Sequence, residues 1–390
     1  MSDDDAALRF RNGLNRITFV YLGILVAEWV ALAHGDSFFR SSLWVLKTGT
    51  VLAWQYAILS ANRIKLTRGE NLGQIWGWAN RITLARGVFL ALFAGFLFEP
   101  EPSGWAAWLP GSIYSIAAIG DFLDGFIARK TGTRTEMGAF MDGEFDGAGI
   151  LLVMVLAVQY DRLPAPFLLI ALAKPAYAAI LRIRRMLGGR LSDLPSSYMR
   201  RRLAGFQMGV AAVILFPPVD GSLAFLAETL VGLPFLAGFL RDGLAATCRL
   251  DPTNPAYLRW KGRLGRCLFS RLPPLLRFAS LALASVRIAQ AVRGASRGLD
   301  AFAPWRSAVL SLSPGLQESA ARALATSQVS ALILLAIGRP AVAAVSAALV
   351  FILTEVLRTS QGRPDAMGLA SVAAALLLLI LHTGQQRDRK

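Results

Sequence analysis

Apolar residues in this chain recur in predominantly apolar runs of about 12 to 23, separated by short polar segments. Runs of this length without strict alternation read as membrane-crossing helices rather than strands. Two lie near the N-terminus, Ile17 to Ala33 and Leu43 to Ser60. Six more follow at about Asn80–Leu97, Ala106–Ile127, Gly147–Val158, Ala165–Leu181, Leu203–Phe216 and Leu223–Ala245, the third and fifth short for a full span. Beyond residue 278 the pattern weakens, with runs near 278–292, 325–338, 341–357 and 367–382 that predict about four helices, some of them amphipathic. The polar stretch Ala61 to Trp78, with Trp76 and Trp78 at its end, suits a helix lying in the membrane interface. The expected fold class is therefore all-α and polytopic.

Composition agrees. Of 390 residues, 55 % are hydrophobic and only 17 % charged, against about a quarter charged in ordinary soluble domains. The net charge is +16. Its distribution decides what it means: every second loop of the first 280 residues is basic, including seven arginines in 182–202 and six arginines with one lysine in 249–277. That alternation is positive-inside topology, not a nucleic-acid surface, and it places the N-terminus and the basic loops in the cytoplasm. The acidic opening, Asp3 to Asp5, is wrong for a secretory signal, so the first run is expected to be a retained helix. Cys248 and Cys267 form no metal pattern and are expected to be free thiols. His34 and His382 are too isolated for a histidine metal site or a Ser-His-Asp triad.

One segment departs from this background. Asp121 and Asp124 are three apart and Asp142 and Asp146 four apart, so each pair shares a helix face, and the polar stretch Lys130 to Met137 can turn between the two helices. Four carboxylates converging at a membrane boundary repel one another and lose solvation. Divalent cations relieve both costs, and all-oxygen ligation suits Mg²⁺ or Mn²⁺, with Ca²⁺ also possible. A pair of such ions is the usual clamp for displacement at phosphorus. Gly125 and Gly138 open the helix backbone to a bulky charged substrate, and Arg129 offers a bidentate partner for phosphate oxygens.

Asp121, Asp124, Gly125, Ala128, Arg129, Gly138, Asp142 and Asp146 fill without departure the pattern D-x2-D-G-x2-A-R-x8-G-x3-D-x3-D, and the segment resembles the CDP-alcohol phosphotransferase family. An Asn-x-x-Thr at Asn80 and Thr83, followed by Arg86, is similar to the opening of the first helix in many members; Gln207 and Arg241-Asp242 are family-like less specifically. The resemblance implies a six-helix core over about residues 70–248 that dimerises, with residues 1–69 as an N-terminal extension of two transmembrane helices and residues 249–390 as a C-terminal helical extension of unknown role. It implies attack by an acceptor alcohol on the β-phosphorus of a CDP-alcohol, often CDP-diacylglycerol, with release of CMP, in phospholipid synthesis. Asp121, Asp124 and Asp142 become metal ligands. Asp146 becomes the general base and takes part in the metal site. Gly125, Ala128, Arg129 and Gly138 line the cytidine and diphosphate site, with Thr83 a further nucleotide-site candidate. The expected cofactors are two Mg²⁺ or Mn²⁺ ions, and the expected address is the plasma (inner) membrane with the active site cytoplasmic.

The acceptor is open. Arg182, Arg184, Arg185 and Arg200 to Arg202 are available for an acceptor phosphate, although topology alone accounts for most of them. Members acting on glycerol phosphate or inositol phosphate commonly carry a basic residue after the fourth aspartate, where this chain has Gly147, a departure that counts against such an acceptor without identifying another. Lys174, Glu28, Glu228 and Glu355 sit in or near apolar runs and are given no role, since pairing within the bundle or snorkelling explains each. Two alternatives stand beside the transferase. One is a catalytically silent scaffold or transporter on the same core. The other is a membrane prenyltransferase, which would normally show two separated aspartate-rich motifs where this chain has a single cluster.

Overall fold

The computed structural model describes residues 3–33, 38–62, 76–133, 135–192, 198–217 and 219–267. Helices take up most of them, and no strand occurs among the described residues. They are α1 (Asp3–Ala33), α2 (Phe38–Ala61), α3 (Trp78–Ala94), α4 (Leu109–Thr131), α5 (Glu136–Gln159), α6 (Leu168–Met186), α7 (Tyr198–Val213), α8 (Gly221–Ala246) and α9 (Pro255–Arg266), with short 3₁₀ turns before α4 and α6. Four stretches are long and apolar enough to cross a membrane: Phe10–Ala33, Gly104–Thr131, Ala165–Met186 and Gly221–Ala246. The chain is an all-α polytopic membrane protein. The expected helices near 278–292, 325–338, 341–357 and 367–382, most of the 61–78 interface segment, and Glu355 lie outside the described residues.

The two N-terminal runs and all six that follow are helical. The third, only 12 residues of apolar sequence, belongs to a helix of 24 because α5 begins eleven residues earlier, in the acidic segment. Local chemistry sets that start. Gly132 ends α4 in the left-handed region at φ 66°, and Thr135 caps α5 by accepting a hydrogen bond from the Gly138 amide. The tight reversal lays the two aspartate-bearing helix ends side by side.

The chain divides into two compact units. The first contains residues 1–175 and 211–216. In it α3 is the central element: it packs against α2, α4 and α5, while α1 packs on α2. In a bilayer such packing rests on close contact and polar bonds rather than on expulsion of water. Gly87 shows how. A Cβ there would come within 2.7 Å of Gln55 Oε1 and 2.8 Å of Phe145, so only glycine admits both neighbours. Gln55 uses the space to donate to the Gly87 carbonyl at 2.8 Å and to accept from the Tyr21 hydroxyl at 2.9 Å. The bond chain joins α1 and α2 to α3. Lys47 and Arg40 of α2 add ion pairs to Glu99, at 2.8 and 3.3 Å, and Glu28 is bonded by Thr48 at 3.0 Å.

The second unit contains residues 176–210 and everything from Pro217 onward. Within it buried Gln207 of α7 donates to buried Glu228 of α8, and Tyr177 packs edge-on against Phe239 at 5.9 Å. Asp220 caps α8 and Asn254 caps α9. Cys248 and Cys267 are free and exposed, as expected.

Candidate active site

A polar stripe runs along α3: Asn80, Thr83 and Arg86 are all buried, three residues apart and therefore on one helix face. Each serves the helices that carry the aspartates. Asn80 donates to the Thr135 hydroxyl at 2.8 Å and so braces the cap of α5. The Thr83 hydroxyl donates to Asp124 Oδ2 at 2.7 Å. Arg86, whose side chain is 1 % exposed, stands among all four aspartates.

Its guanidinium makes the geometry of the cluster. Nη1 pairs with Asp121 and lies 3.0 Å from Asp142 and 3.7 Å from Asp124; Nη2 lies 2.5 Å from Asp146. Nη2 is also 3.4 Å from the Asp142 carbonyl. A planar fork with five donors is the one cationic side chain that can address four acceptors from a single buried position. Asp124 is buried, while Asp121, Asp142 and Asp146 keep partial access to solvent. Four carboxylates against one guanidinium leave three negative charges if all are ionised. Such an excess is costly at a membrane boundary and calls for further cations.

The donor set fits divalent ions. Carboxylate oxygens of Asp121, Asp142 and Asp146 lie within 4.8 Å of one another, close enough to ligate one ion, and all are hard oxygen donors. Asp124 falls outside that trio, held against Thr83 and Arg86.

The other residues singled out from the sequence take distinct places. Gly125 lies under its neighbour Arg129, whose Nη1 would sit 3.1 Å from a Cβ at position 125. Ala128 is half-buried on α4. Gly138 meets α3, where a Cβ would fall 2.6 Å from Asn80 Oδ1. Thr83, a nucleotide-site candidate from the sequence, donates its hydroxyl proton to Asp124. Arg182, Arg184 and Arg185 end α6, where cations favour the helix dipole; Arg200 to Arg202 open α7. Both arginine groups belong to the second unit.

Two cations of the site had no role in the sequence reading. Arg86 was visible there only as the end of the Asn-x-x-Thr-x-x-Arg pattern, and a charge inside an apolar run was the available signal. Lys174 of α6 is the other. Its Nζ would stand 3.4 Å from a Cβ at Gly147 and 3.8 Å from one at Gly143, so it lies along the turn of α5 that carries Asp146.

Comparison with known proteins agrees with this arrangement. The family model for CDP-alcohol phosphatidyltransferase matches residues 76–236. The chain is 29 % identical over 142 residues to the CDP-diacylglycerol–glycerol-3-phosphate 3-phosphatidyltransferase of Salmonella typhimurium, covering 35 % of this chain and 75 % of that protein. The protein of the same name from Pseudomonas fluorescens is 27 % identical over 196 residues, 47 % of this chain and 93 % of its own length. That of Escherichia coli is 27 % identical over 142 residues, 35 % of this chain and 75 % of its own. No solved structure gives a significant match. The aspartate constellation, the helices that present it and the match over residues 76–236 identify a CDP-alcohol phosphatidyltransferase domain in this chain, that of a membrane-bound CDP-alcohol phosphotransferase.

Proposed function

We propose that this domain transfers a phosphatidyl group from CDP-diacylglycerol to a phosphate-bearing alcohol of the glycerol 3-phosphate kind and releases CMP. The observation that carries the acceptor half is Lys174. Family members that act on such acceptors commonly place a basic residue directly after the fourth aspartate. Here that position is Gly147, and the missing side chain leaves room for an ammonium delivered from α6 beside Asp146. A cation next to the base is where an anionic acceptor gains most. The relatives quoted above bear glycerol 3-phosphate in their names.

In this reading the acceptor hydroxyl oxygen forms a bond to the β-phosphorus, the bond from that phosphorus to the oxygen bridging to the α-phosphate breaks, and CMP leaves with the bond's electron pair. Asp146 is partly open to solvent and takes the hydroxyl proton. Asp121, Asp124 and Asp142 would hold two Mg²⁺ or Mn²⁺ ions with the help of Asp146. When bound, such ions supply positive charge to the diphosphate and to the leaving CMP. Arg86 keeps the four carboxylates converged. Arg129, over Gly125, is the side chain offered to the diphosphate, with Ala128, Gly138 and Thr83 shaping the nucleotide side. A plasma-membrane address with this site facing the cytoplasm belongs to the same reading, supported by the alternation of basic loops, and so does a homodimer, which rests on the family resemblance alone.

The test is CMP release by purified protein with CDP-diacylglycerol and Mg²⁺ or Mn²⁺, with glycerol 3-phosphate, inositol phosphate, serine, inositol and a lipid alcohol added singly. Release that depends on glycerol 3-phosphate is expected. Lys174→Met should raise KM for that acceptor about tenfold, the loss of one charge-assisted bond, with KM for the donor unchanged. Release with serine or inositol alone would overturn the acceptor class, and a Lys174→Met enzyme with unaltered acceptor KM would overturn the role of the lysine.

A further inference from the structure

The site just described uses one face of α3; the opposite face bounds a cavity of about 690 Å³ shared with α1 and lined also by Trp76. Arg81, Leu84, Ala85 and Val88 line it from α3, at spacings of three and four that keep them on one side of the helix. Asn12, Arg16, Val20 and Ile24 line it from α1 at a strict spacing of four. From Asn12 to Ile24 the groove follows about 18 Å of helix. All of this α1 wall lies outside the matched residues 76–236, so the cavity is a property of the N-terminal extension joined to the domain.

Its chemistry is divided by depth. Arg16, Arg81, Asn12 and Trp76 gather at one end, and the remainder is aliphatic or aromatic. Among the described residues no Asp or Glu lines it, and neither arginine makes a salt bridge with a carboxylate. Arg81 is held in place, its Nε donating to the Trp76 carbonyl at 3.0 Å and its guanidinium lying 5.2 Å from the Trp78 ring, which leaves the terminal nitrogens as donors. The indole Nε1 of Trp76 is buried and has no partner. The ring packs against Gly13, where a Cβ would collide with it. Four donor side chains and two positive charges thus meet at the polar end of an apolar groove, and among the described residues no carboxylate matches them. A ligand that complements this is anionic and acceptor-rich at one end and hydrocarbon at the other.

We propose that this groove is a binding site for an anionic glycerophospholipid, its phosphate between Arg16 and Arg81 and an acyl chain along Val20, Ile24, Val88 and Phe89. The lipid would brace α1 against α3 on the side away from the aspartates, and it is distinct from any lipid bound at the catalytic face.

The test is lipid binding by the full-length protein in mild detergent, read by native mass spectrometry and by thermal stabilisation. Phosphatidylglycerol and phosphatidic acid are titrated against phosphatidylcholine. Both anionic lipids should bind at least tenfold more tightly than phosphatidylcholine. Arg16→Gln, an exposed position that folding tolerates, should remove roughly tenfold of that preference, the size of one charged hydrogen bond. Val88→Trp, which fills the apolar part, should weaken both anionic lipids while leaving CDP-diacylglycerol binding as in the wild type. Equal binding of phosphatidylcholine, or an Arg16→Gln protein with the full anionic preference, would mean an annular lipid only and would overturn the proposal. Loss of CDP-diacylglycerol binding along with phosphatidylglycerol in Val88→Trp would place the lipid at the catalytic face and overturn it as well.

Discussion

Replacing Arg86 by Gln removes the one positive charge that touches all four aspartates, and the structure allows its cost to be worked out. Breaking a buried ion pair by deleting one partner costs about 3–5 kcal/mol, because the surviving charge is left unpaired. Here three of the four surviving carboxylates are partly exposed, with side chains 28, 45 and 33 % accessible for Asp121, Asp142 and Asp146, so water relieves them; only Asp124, at 4 %, is stranded. Asp124 also keeps its bond from Thr83. The loss therefore belongs at the lower end, about 3 kcal/mol, which for a domain of this size is a fall of roughly 6–12 °C in melting temperature. Turnover should fall further than stability, at least about a hundredfold, because carboxylates that repel one another drift from the positions the chemistry needs. Arg86→Lys separates the two effects. It returns the charge but not the fork that reaches Asp121 and Asp146 from different nitrogens, so it should recover part of the melting temperature and little of the rate. Thermal unfolding in detergent and CMP release measure the two. An Arg86→Gln protein that melts within about 2 °C of the wild type and keeps its turnover would refute the idea that this cation organises the cluster.

Asp146→Asn should abolish CMP release while CDP-diacylglycerol binding largely persists, since the amide keeps the shape and cannot take a proton; near-normal release would remove Asp146 as the base. EDTA should stop the reaction and Mg²⁺ or Mn²⁺ should restore it, and full release in chelator would refute the reading of Asp121, Asp142 and Asp146 as an ion site. Gly138→Ala puts a Cβ 2.6 Å from Asn80 Oδ1, behind a buried bond to the cap of α5. It should cost about 1–3 kcal/mol and lower turnover by displacing Asp142 and Asp146 together. A variant with unchanged melting and rate would show that α3 and α5 are not tightly seated there.

The sequence carried the carboxylates almost completely, and for a simple reason. Spacings of three and four within a helix place side chains on one face whatever surrounds it, so Asp121 with Asp124 and Asp142 with Asp146 were paired before any packing was known. The turn between them was equally local, resting on Gly132 and on the cap at Thr135. The length of α5 was less legible, because its apolar run begins only where the acidic turn ends, and hydrophobicity is blind to a helix continuing through charged residues.

What balances those carboxylates was decided by tertiary structure. Arg86 lies 35 residues before Asp121 and Lys174 lies 28 after Asp146, on helices whose own periodicity says nothing about which neighbour they face. Thr83 could be read from the chain as a candidate on the nucleotide side, but that packing of α3 on α4 also makes its hydroxyl a donor to Asp124 was not legible there. In the same way Gln55 and Gly87 look unremarkable in sequence, yet their bond ties the N-terminal helices to the helix bearing Arg86. By itself the sequence determined the membrane-spanning pattern and the aspartate faces, because both follow from the helical repeat and from hydrocarbon thickness. The cations, the bracing of α5 by Asn80 and the cavity between α1 and α3 depend on contacts between residues far apart in the chain, which only the folded arrangement of helices creates.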